Sequence, residues 1–200
     1  MPTTWSRRCG ALSTDSPLPE DAGLEPHVAV RLATPSDAAD IAEVHRASWR
    51  STYGGILPAD VIAAHAGRRS ESAWRRQLAA RVPESATWVA ELDGALVGFS
   101  SCGPARHRLE GLEAEIYALY VLQSAQRRGV GRALVTESAR HFVRHGHFGF
   151  YLWVLKANRA RMFYETVGGR EIAEKTERLG LHAFAEIAYG WHDLTGLIAA

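Results

Sequence analysis

The stretch from residue 115 to residue 135 constrains the fold of this chain more than any other part of the sequence. It begins as an apolar, β-rich run headed by a single acid, turns through a glycine loop at residues 126–132, and continues with helical periodicity. A strand, a glycine loop and a helix in this order present free backbone N–H groups at a helix N-terminus, where the helix dipole attracts anions. Gly129 and Gly131 allow close approach of a ligand, and the loop adds positive charge through Arg127, Arg128 and Arg132. We predict a pyrophosphate-binding loop.

Two other kinds of phosphate-binding loop do not fit these residues. A Walker loop requires a lysine followed by Ser or Thr after its last glycine, and the loop contains no such lysine. A dinucleotide-binding fingerprint requires a third glycine where Leu134 stands, and an acid after the next strand. The strand predicted at residues 150–155 is followed instead by Lys156, Ala157 and Asn158.

The loop resembles the acetyl-coenzyme A signature of the GCN5-related N-acetyltransferase (GNAT) superfamily. Val121 is followed, after four residues, by Gln-x-x-Gly-x-Gly, which ends at Gly131. A second stretch is similar to the family's later strand and helix, with Leu152-Trp153-Val154, then Asn158-Arg159-Ala160, the pair Phe163-Tyr164 and Gly168. The sequence departs from the pattern at Gln123, where a proline is common, and at Gly169, where an aromatic residue often follows. Neither position belongs to the phosphate loop.

The resemblance covers residues 28–194 and implies an α/β fold. We expect a mixed, strongly twisted sheet with a central splayed strand pair and helices on both faces, in one acetyltransferase domain over residues 28–195. Residues 1–27 contain four prolines among small polar and acidic residues, and we expect a disordered or loosely attached extension there. Asp93-Gly94 predicts a hairpin turn, and Gly103-Pro104 is expected to end the second strand before a charged loop at residues 106–111.

The resemblance also implies acetyl-coenzyme A as the co-substrate, without a metal. The backbone of Leu119 and Val121 would bind the pantetheine arm and the thioester, with the Val121 N–H near the oxygen that becomes negative. Main-chain groups of the loop would hold the pyrophosphate, namely those of Gln126, Arg127, Arg128, Gly129, Val130, Gly131 and Arg132. Asn158 is expected to lie near the coenzyme and to cap the following helix.

Direct transfer of an acetyl group requires a base for the amine and an acid for the departing thiolate. The family resemblance assigns the acid to Tyr164, whose phenol stays protonated at neutral pH. Glu115, at the head of the central strand, is a candidate base; Glu113 competes with it, and a mechanism without a dedicated base remains open.

The acceptor is expected to be a primary amine of a small molecule or an amino acid-like compound. In the family, the region after the first strand lines the acceptor pocket, so Trp49 and Tyr53 are candidate substrate contacts. A protein N-terminus or lysine is the alternative acceptor, and a coenzyme A-binding regulatory module without catalysis is the alternative from another class.

The composition excludes some partners. The 23 basic and 22 acidic residues give a net charge of +1, so we expect no nucleic-acid partner. No apolar run approaches the roughly 18 residues of a membrane-spanning helix. Cys9 and Cys102 form no metal-binding spacing, and reduced thiols suit the cytoplasmic location that we expect. The apolar, aromatic last strand, residues 183–191, suggests a homodimer.

Overall fold

A computed structural model describes residues 28–80, 82–179 and 181–199. The extension predicted at residues 1–27 lies outside the described residues. The elements follow in the order β1 (Val28–Leu32), α1 (Ala38–Tyr53), α2 (Ala59–Arg68), α3 (Glu71–Ala79), β2 (Ala86–Leu92), β3 (Ala95–Leu109), β4 (Leu112–Val121), α4 (Val130–Arg144), β5 (Phe150–Leu155), α5 (Ala160–Thr166), β6 (Arg170–Leu179), β7 (His182–Trp191) and α6 (Thr195–Ile198).

The seven described strands form one mixed sheet in the order β1-β2-β3-β4-β5-β7-β6. Neighbouring strands are antiparallel except at the centre, where β4 runs parallel to β5. The chain crosses from β4 to β5 through α4, as a parallel connection requires. The expected mixed sheet with helices on both faces is confirmed.

The two faces of the sheet are covered by different parts of the chain. On one face, α4 buries Val135, Ala139 and Phe142 against β4, β5 and β7. On the other face, α1 and α3 bury Ile41 and Trp74 against β2 and β3. The helices that come before β2 in the chain are therefore on the opposite side of the sheet from the helix that follows the glycine loop.

Strand β3 is longer than the sequence predicted. The expectation that Gly103-Pro104 ends it was wrong, because the strand continues to Leu109, and Pro104 pairs with Ala114 of β4. The ladder is irregular between Pro104 and Leu109, which is where a residue without an N–H can be accommodated. Glu110 and Gly111 then close the hairpin with positive φ angles of 49° and 80°, the conformation of a two-residue turn.

The last strand is an interior strand. β7 pairs with β5 on one side and with β6 on the other, so its backbone is not available to a second molecule. β6 forms the edge of the sheet and carries a row of charged residues that includes Glu174, Lys175 and Glu177. Charged side chains on an edge strand oppose pairing with another chain.

Gly169 departs from the family pattern for a reason visible in the packing. A Cβ built at this residue would lie 2.5 Å from Cζ2 of Trp191. The Trp191 ring is buried, stacks on Phe150 and donates from its indole N–H to the Val167 carbonyl. The tryptophan of β7 therefore fills the volume that a side chain at position 169 would otherwise occupy.

Candidate active site in the opening of the sheet

The central feature of the site is the divergence of β4 and β5. Their ladder consists of the single described pair Glu115 and Tyr151, and beyond it the strands separate. The Leu122 N–H donates to the Val97 carbonyl of β3 at 2.8 Å. Because N–H groups alternate sides along a strand, the N–H groups of Val121 and Leu119 point the other way, into the gap.

The glycine loop presents a row of N–H groups at the start of α4. Arg127 and Gly129 have positive φ angles of 62° and 82°, and Gly129 immediately precedes the helix. Among the described residues, no carbonyl or side chain accepts a hydrogen bond from the backbone N–H groups of residues 127–132. These groups lie at the positive end of the dipole of a 15-residue helix, an arrangement that suits an anion.

The side chains of the loop hold it in place. Gln126 donates to the Val121 carbonyl at 3.3 Å, Arg128 lies 3.6 Å from the Asp93 carboxylate, and Arg132 reaches the Thr166 carbonyl at 3.4 Å. A Cβ at Gly131 would lie 3.1 Å from the ring of Phe163. These contacts engage the loop side chains and leave its backbone N–H groups free of partners among the described residues.

Asn158 lies at the start of α5. Its side chain is buried, and its Oδ1 accepts a hydrogen bond from the Ala160 N–H at 2.9 Å. The Asn158 carbonyl accepts another from the Arg161 N–H at 3.3 Å. Asn158 thus caps the helix that carries Tyr164.

Tyr164 is buried and belongs to a group of three tyrosines that includes the half-buried Tyr53 and Tyr120. Burial raises the pKa of Tyr164, and the Tyr120 hydroxyl adds to the shift. Burial also raises the pKa values of Tyr53 and Tyr120. The Tyr120 oxygen accepts a hydrogen bond from the Trp49 indole N–H at 3.0 Å. The structure therefore brings together three predicted residues, Trp49, Tyr53 and Tyr164, around a tyrosine that sequence reasoning had assigned to no role.

Glu115 is 1% exposed and is surrounded by donors. Its Oε2 accepts from the Arg106 backbone N–H at 3.1 Å, and both oxygens accept from the Arg106 guanidinium. The Tyr151 hydroxyl lies 3.3 Å from Oε2 but has only one proton, and it lies closer, at 2.6 Å, to the His107 carbonyl. The carboxylate is thus used chiefly to hold Arg106.

Glu113 lies on the outer part of the β3–β4 hairpin. Its carboxylate forms an ion pair with Arg108, and both side chains are exposed. Glu113 therefore differs from Glu115 in being exposed and in pairing with another arginine.

A cavity of about 450 Å³ lies on the α1 side of β4. Its walls come from all three helices that precede β2, from β3 and from the central strand: His45, Trp49, His65, Arg69, Trp74, Arg106, Tyr117, Ala118 and Tyr120. Trp49 stacks on His65 with ring centroids 5.0 Å apart and contacts Tyr53 at 4.6 Å. His45, Trp49 and Tyr53 are spaced by four residues on α1 and so form one stripe, a signal that the sequence contained.

Glu186 is a further acid that sequence reasoning missed. It lies on β7 opposite Leu155 and forms an ion pair with Lys175 at 3.3 Å. Burial raises the pKa of Glu186, and its charge raises the pKa values of Tyr53 and Tyr120. A single acid in an otherwise apolar stretch of strand was the available signal.

Two further properties concern metals and membranes. Over the described ranges, no three side chains among His, Cys, Asp and Glu are arranged to hold a metal ion. None of the helices described above has the length and apolar character needed to cross a membrane.

Comparison with known proteins gives a consistent result. The sequence model of the acetyltransferase (GNAT) family matches residues 41–168. An uncharacterized N-acetyltransferase of Bacillus subtilis is 35% identical over 171 residues, which are 85% of this chain and 96% of the relative.

Two solved structures share the fold. The PaiA N-acetyltransferase of Thermoplasma acidophilum, in complex with coenzyme A, aligns with a TM-score of 0.64 and 20% identity over 82% of this chain and 99% of its own. A Salmonella typhimurium protein with its cofactor acetyl-CoA aligns with a TM-score of 0.63 and 19% identity, over 82% of this chain and 92% of its own.

The buried histidine of the cavity predicts a pH dependence of stability. Burial first, and then Arg69, lower the pKa of His45 from 6.5 to about 4. As the pH falls below 6.5, the unfolded chain binds a proton that the folded chain does not bind until about pH 4. The free energy of unfolding should therefore fall across this window by up to about 3 kcal/mol. Urea unfolding of the intact chain and of His45→Leu, at pH 7, 6 and 5, measures this contribution.

The comparison between the two proteins isolates His45, because all other titrating groups are shared. The intact chain should lose more stability than His45→Leu between pH 7 and 5. Parallel losses in both proteins would contradict the assignment.

Proposed function

The chain belongs to the GNAT family of N-acetyltransferases, and on that premise we propose that it transfers an acetyl group from acetyl-coenzyme A to a primary amine of a small molecule or an amino acid-like compound. The observation that carries the proposal is the cavity of about 450 Å³ on the α1 side of the central strand. This volume falls within the range of sites for small ligands.

The coenzyme side of the site is supported by backbone geometry. The N–H groups of residues 127–132 would bind the pyrophosphate, and those of Leu119 and Val121 would bind the pantetheine arm and the thioester carbonyl. Asn158 fixes the start of α5 at the far side of the opening. Bound acetyl-coenzyme A supplies the activated acetyl group, and the chain supplies its orientation.

The acceptor side is formed by α1, α2 and α3. Trp49 and Tyr53 pack together and meet the Tyr120 hydroxyl of the central strand, so an amine in the cavity would lie beside β4. The aromatic walls would exclude water from the attack and would restrict the acceptor to a molecule that fits between the helices.

We assign proton donation to the departing thiolate to Tyr164. Its phenol is buried, its pKa is raised, and it lies in the same tyrosine group as Tyr120. A phenol with a raised pKa remains protonated at neutral pH and so can donate a proton at the sulfur.

For removal of the amine proton, Glu186 is better supported than Glu115. The oxygens of Glu115 already accept several hydrogen bonds from Arg106, so few lone pairs remain for a proton. Glu186 has a single ion-pair partner among the described residues, and burial raises its pKa toward the range of a general base. We propose that Glu115 positions Arg106 at the cavity and that Glu186 accepts the proton.

Binding of acetyl-coenzyme A tests the loop. Gly129→Glu places a carboxylate among the free N–H groups, so we expect the affinity measured by calorimetry to fall by at least tenfold. Gly146→Glu is the matched control at the other end of α4. Both glycines have φ angles near +82° to +85°, and both have open space around a Cβ. Equal losses of affinity for acetyl-coenzyme A in the two variants would show that the coenzyme does not bind at this loop.

Removal of one hydroxyl tests the acid. Tyr164→Phe should lower kcat by about a hundredfold while the affinity for acetyl-coenzyme A changes little, because general acids contribute roughly that factor. Tyr189→Phe is the control, since its ring contacts Tyr164 but its hydroxyl is bonded to Glu165 and Glu171. Unchanged turnover by Tyr164→Phe would remove this residue from the mechanism.

The pH profile of kcat/KM shows which of the two carboxylates, Glu186 or Glu115, is the general base. Loss of the base in Glu186→Gln should abolish the decline of kcat/KM at acidic pH together with most of the rate. Glu115→Gln should weaken acceptor binding but keep the acidic decline, because it would disturb the contacts to Arg106 and Tyr151 but not the proposed proton acceptor. If the acidic decline instead disappears in Glu115→Gln, then Glu115 is the base.

A further inference from the structure

Two buried polar groups in the wall of the acceptor-side cavity have no hydrogen-bond partner among the described residues. They are Nδ1 of His45 and the indole Nε1 of Trp74, and their side chains belong to residues that are 6% and 1% exposed. Leaving a buried donor unpaired destabilises a protein, so such groups call for an explanation. Both residues line the same cavity, and an indole N–H can only donate.

A cation lies beside them. The Arg69 guanidinium is stacked on the Trp74 ring, 4.8 Å from its centroid, and also lines the cavity. It donates one hydrogen bond, to Oε1 of Gln77 at 2.7 Å. Within the described part of the chain, no carboxylate lies at ion-pair distance from Arg69. A guanidinium has five N–H donors, so most of its bonding capacity is available to a ligand.

The cavity therefore has one excess positive charge from its arginines. Arg106 also lines it, but its charge is matched by the buried Glu115. The charge of Arg69 contributes to the lowered pKa of His45, after burial, which indicates a positive potential at the imidazole. His45 is consequently neutral at pH 7, and its Nδ1 can donate in the appropriate tautomer.

We propose that the acceptor amine carries a carboxylate and that this carboxylate binds to Arg69, Trp74 and His45. The guanidinium edge and the indole N–H would donate to its oxygens, with the imidazole as a third donor, and one negative charge would balance the one excess positive charge. The inference rests on the proposed function and narrows the acceptor to an amino acid-like compound.

Other charged groups on the acceptor would fit this wall of the cavity less well than a carboxylate. A second ammonium group on the acceptor would be repelled by Arg69. A phosphate or phosphonate offers the same oxyanion chemistry, but its second charge would lack a counterion in this wall. Arg69 and Tyr120 line the same cavity, so the carboxylate site lies near the central strand, where the amine has to be placed.

The first experiment compares acceptors that differ in one group. Acetyl-coenzyme A turnover is measured with L-leucine, L-phenylalanine and L-glutamate, with their amides, with the decarboxylated amines, and with an aminoalkylphosphonate. We expect kcat/KM for the best carboxylate to exceed that of its amide and of its decarboxylated amine by about ten- to a hundredfold, the factor for hydrogen bonds to a charged group. Faster turnover of the phosphonate, or equal turnover of the amide, would overturn the proposal.

The variant Arg69→Gln tests whether the preference for a carboxylate-bearing acceptor comes from Arg69. It should raise KM for the carboxylate acceptor by tenfold or more, with kcat and the KM for acetyl-coenzyme A nearly unchanged. The matched control is Arg76→Gln, which removes the same charge from an exposed position on α3 away from the cavity lining. If both variants behave alike, Arg69 has no specific part in acceptor binding.

A binding measurement tests the carboxylate site even if none of these acceptors is acetylated. The Trp74 indole N–H resonance, identified by its loss in Trp74→Phe, is followed by NMR during titration with the N-acetyl derivatives of the same three amino acids and with their amides. A saturable shift with the carboxylates alone, lost in Arg69→Gln, is expected. No such shift with any carboxylate refutes the subsite, whereas a shift without turnover retains the subsite and refutes the proposed catalysis.

Discussion

The site depends on a single joint between the two halves of the sheet. Among the described pairs, Glu115 and Tyr151 alone connect β4 to β5, and the opening begins directly beyond them. The Glu115 carboxylate, buried at this joint, ties the Arg106 backbone and guanidinium to the central strand. The Arg106 side chain is 61% exposed, so removing Arg106 would leave the buried Glu115 carboxylate uncompensated, whereas removing Glu115 would leave a solvated cation.

The opening separates two kinds of recognition. On one side, the backbone N–H groups of the loop at residues 127–132 would face the coenzyme phosphates under the proposed function, and the side chains of Gln126, Arg128 and Arg132 contact neighbouring segments. On the other side, the proposed acceptor would meet side chains from α1 to α3 and from β3 and β4. The tyrosine group of Tyr53, Tyr120 and Tyr164 lies between the two.

The parts of the site that could be predicted from sequence are those encoded locally. The glycine loop and the Asp93-Gly94 turn require particular φ angles, and few residues adopt them, so their sequences are informative. The end of β3 was misjudged because Gly103 and Pro104 indicate termination locally, whereas pairing with β4 carries the strand onward. Arg69, Trp74 and Glu186 escaped attention for a related reason: each acquires its role from residues distant in the chain, which no spacing rule brings together.

The acceptor wall has a simple relation to the chain. The helices α1, α2 and α3 form one uninterrupted segment between β1 and β2, and the coenzyme loop lies far from them in sequence. Both ends of the segment are fixed, since β1 and β2 pair with one another along their length. The segment can therefore diverge, or be exchanged by an engineer for that of a relative, without altering the backbone groups that face the coenzyme. Under the proposed function, the segment from α1 to α3 forms the helical side of the acceptor cavity, and this segment is inserted between the two adjacent strands β1 and β2.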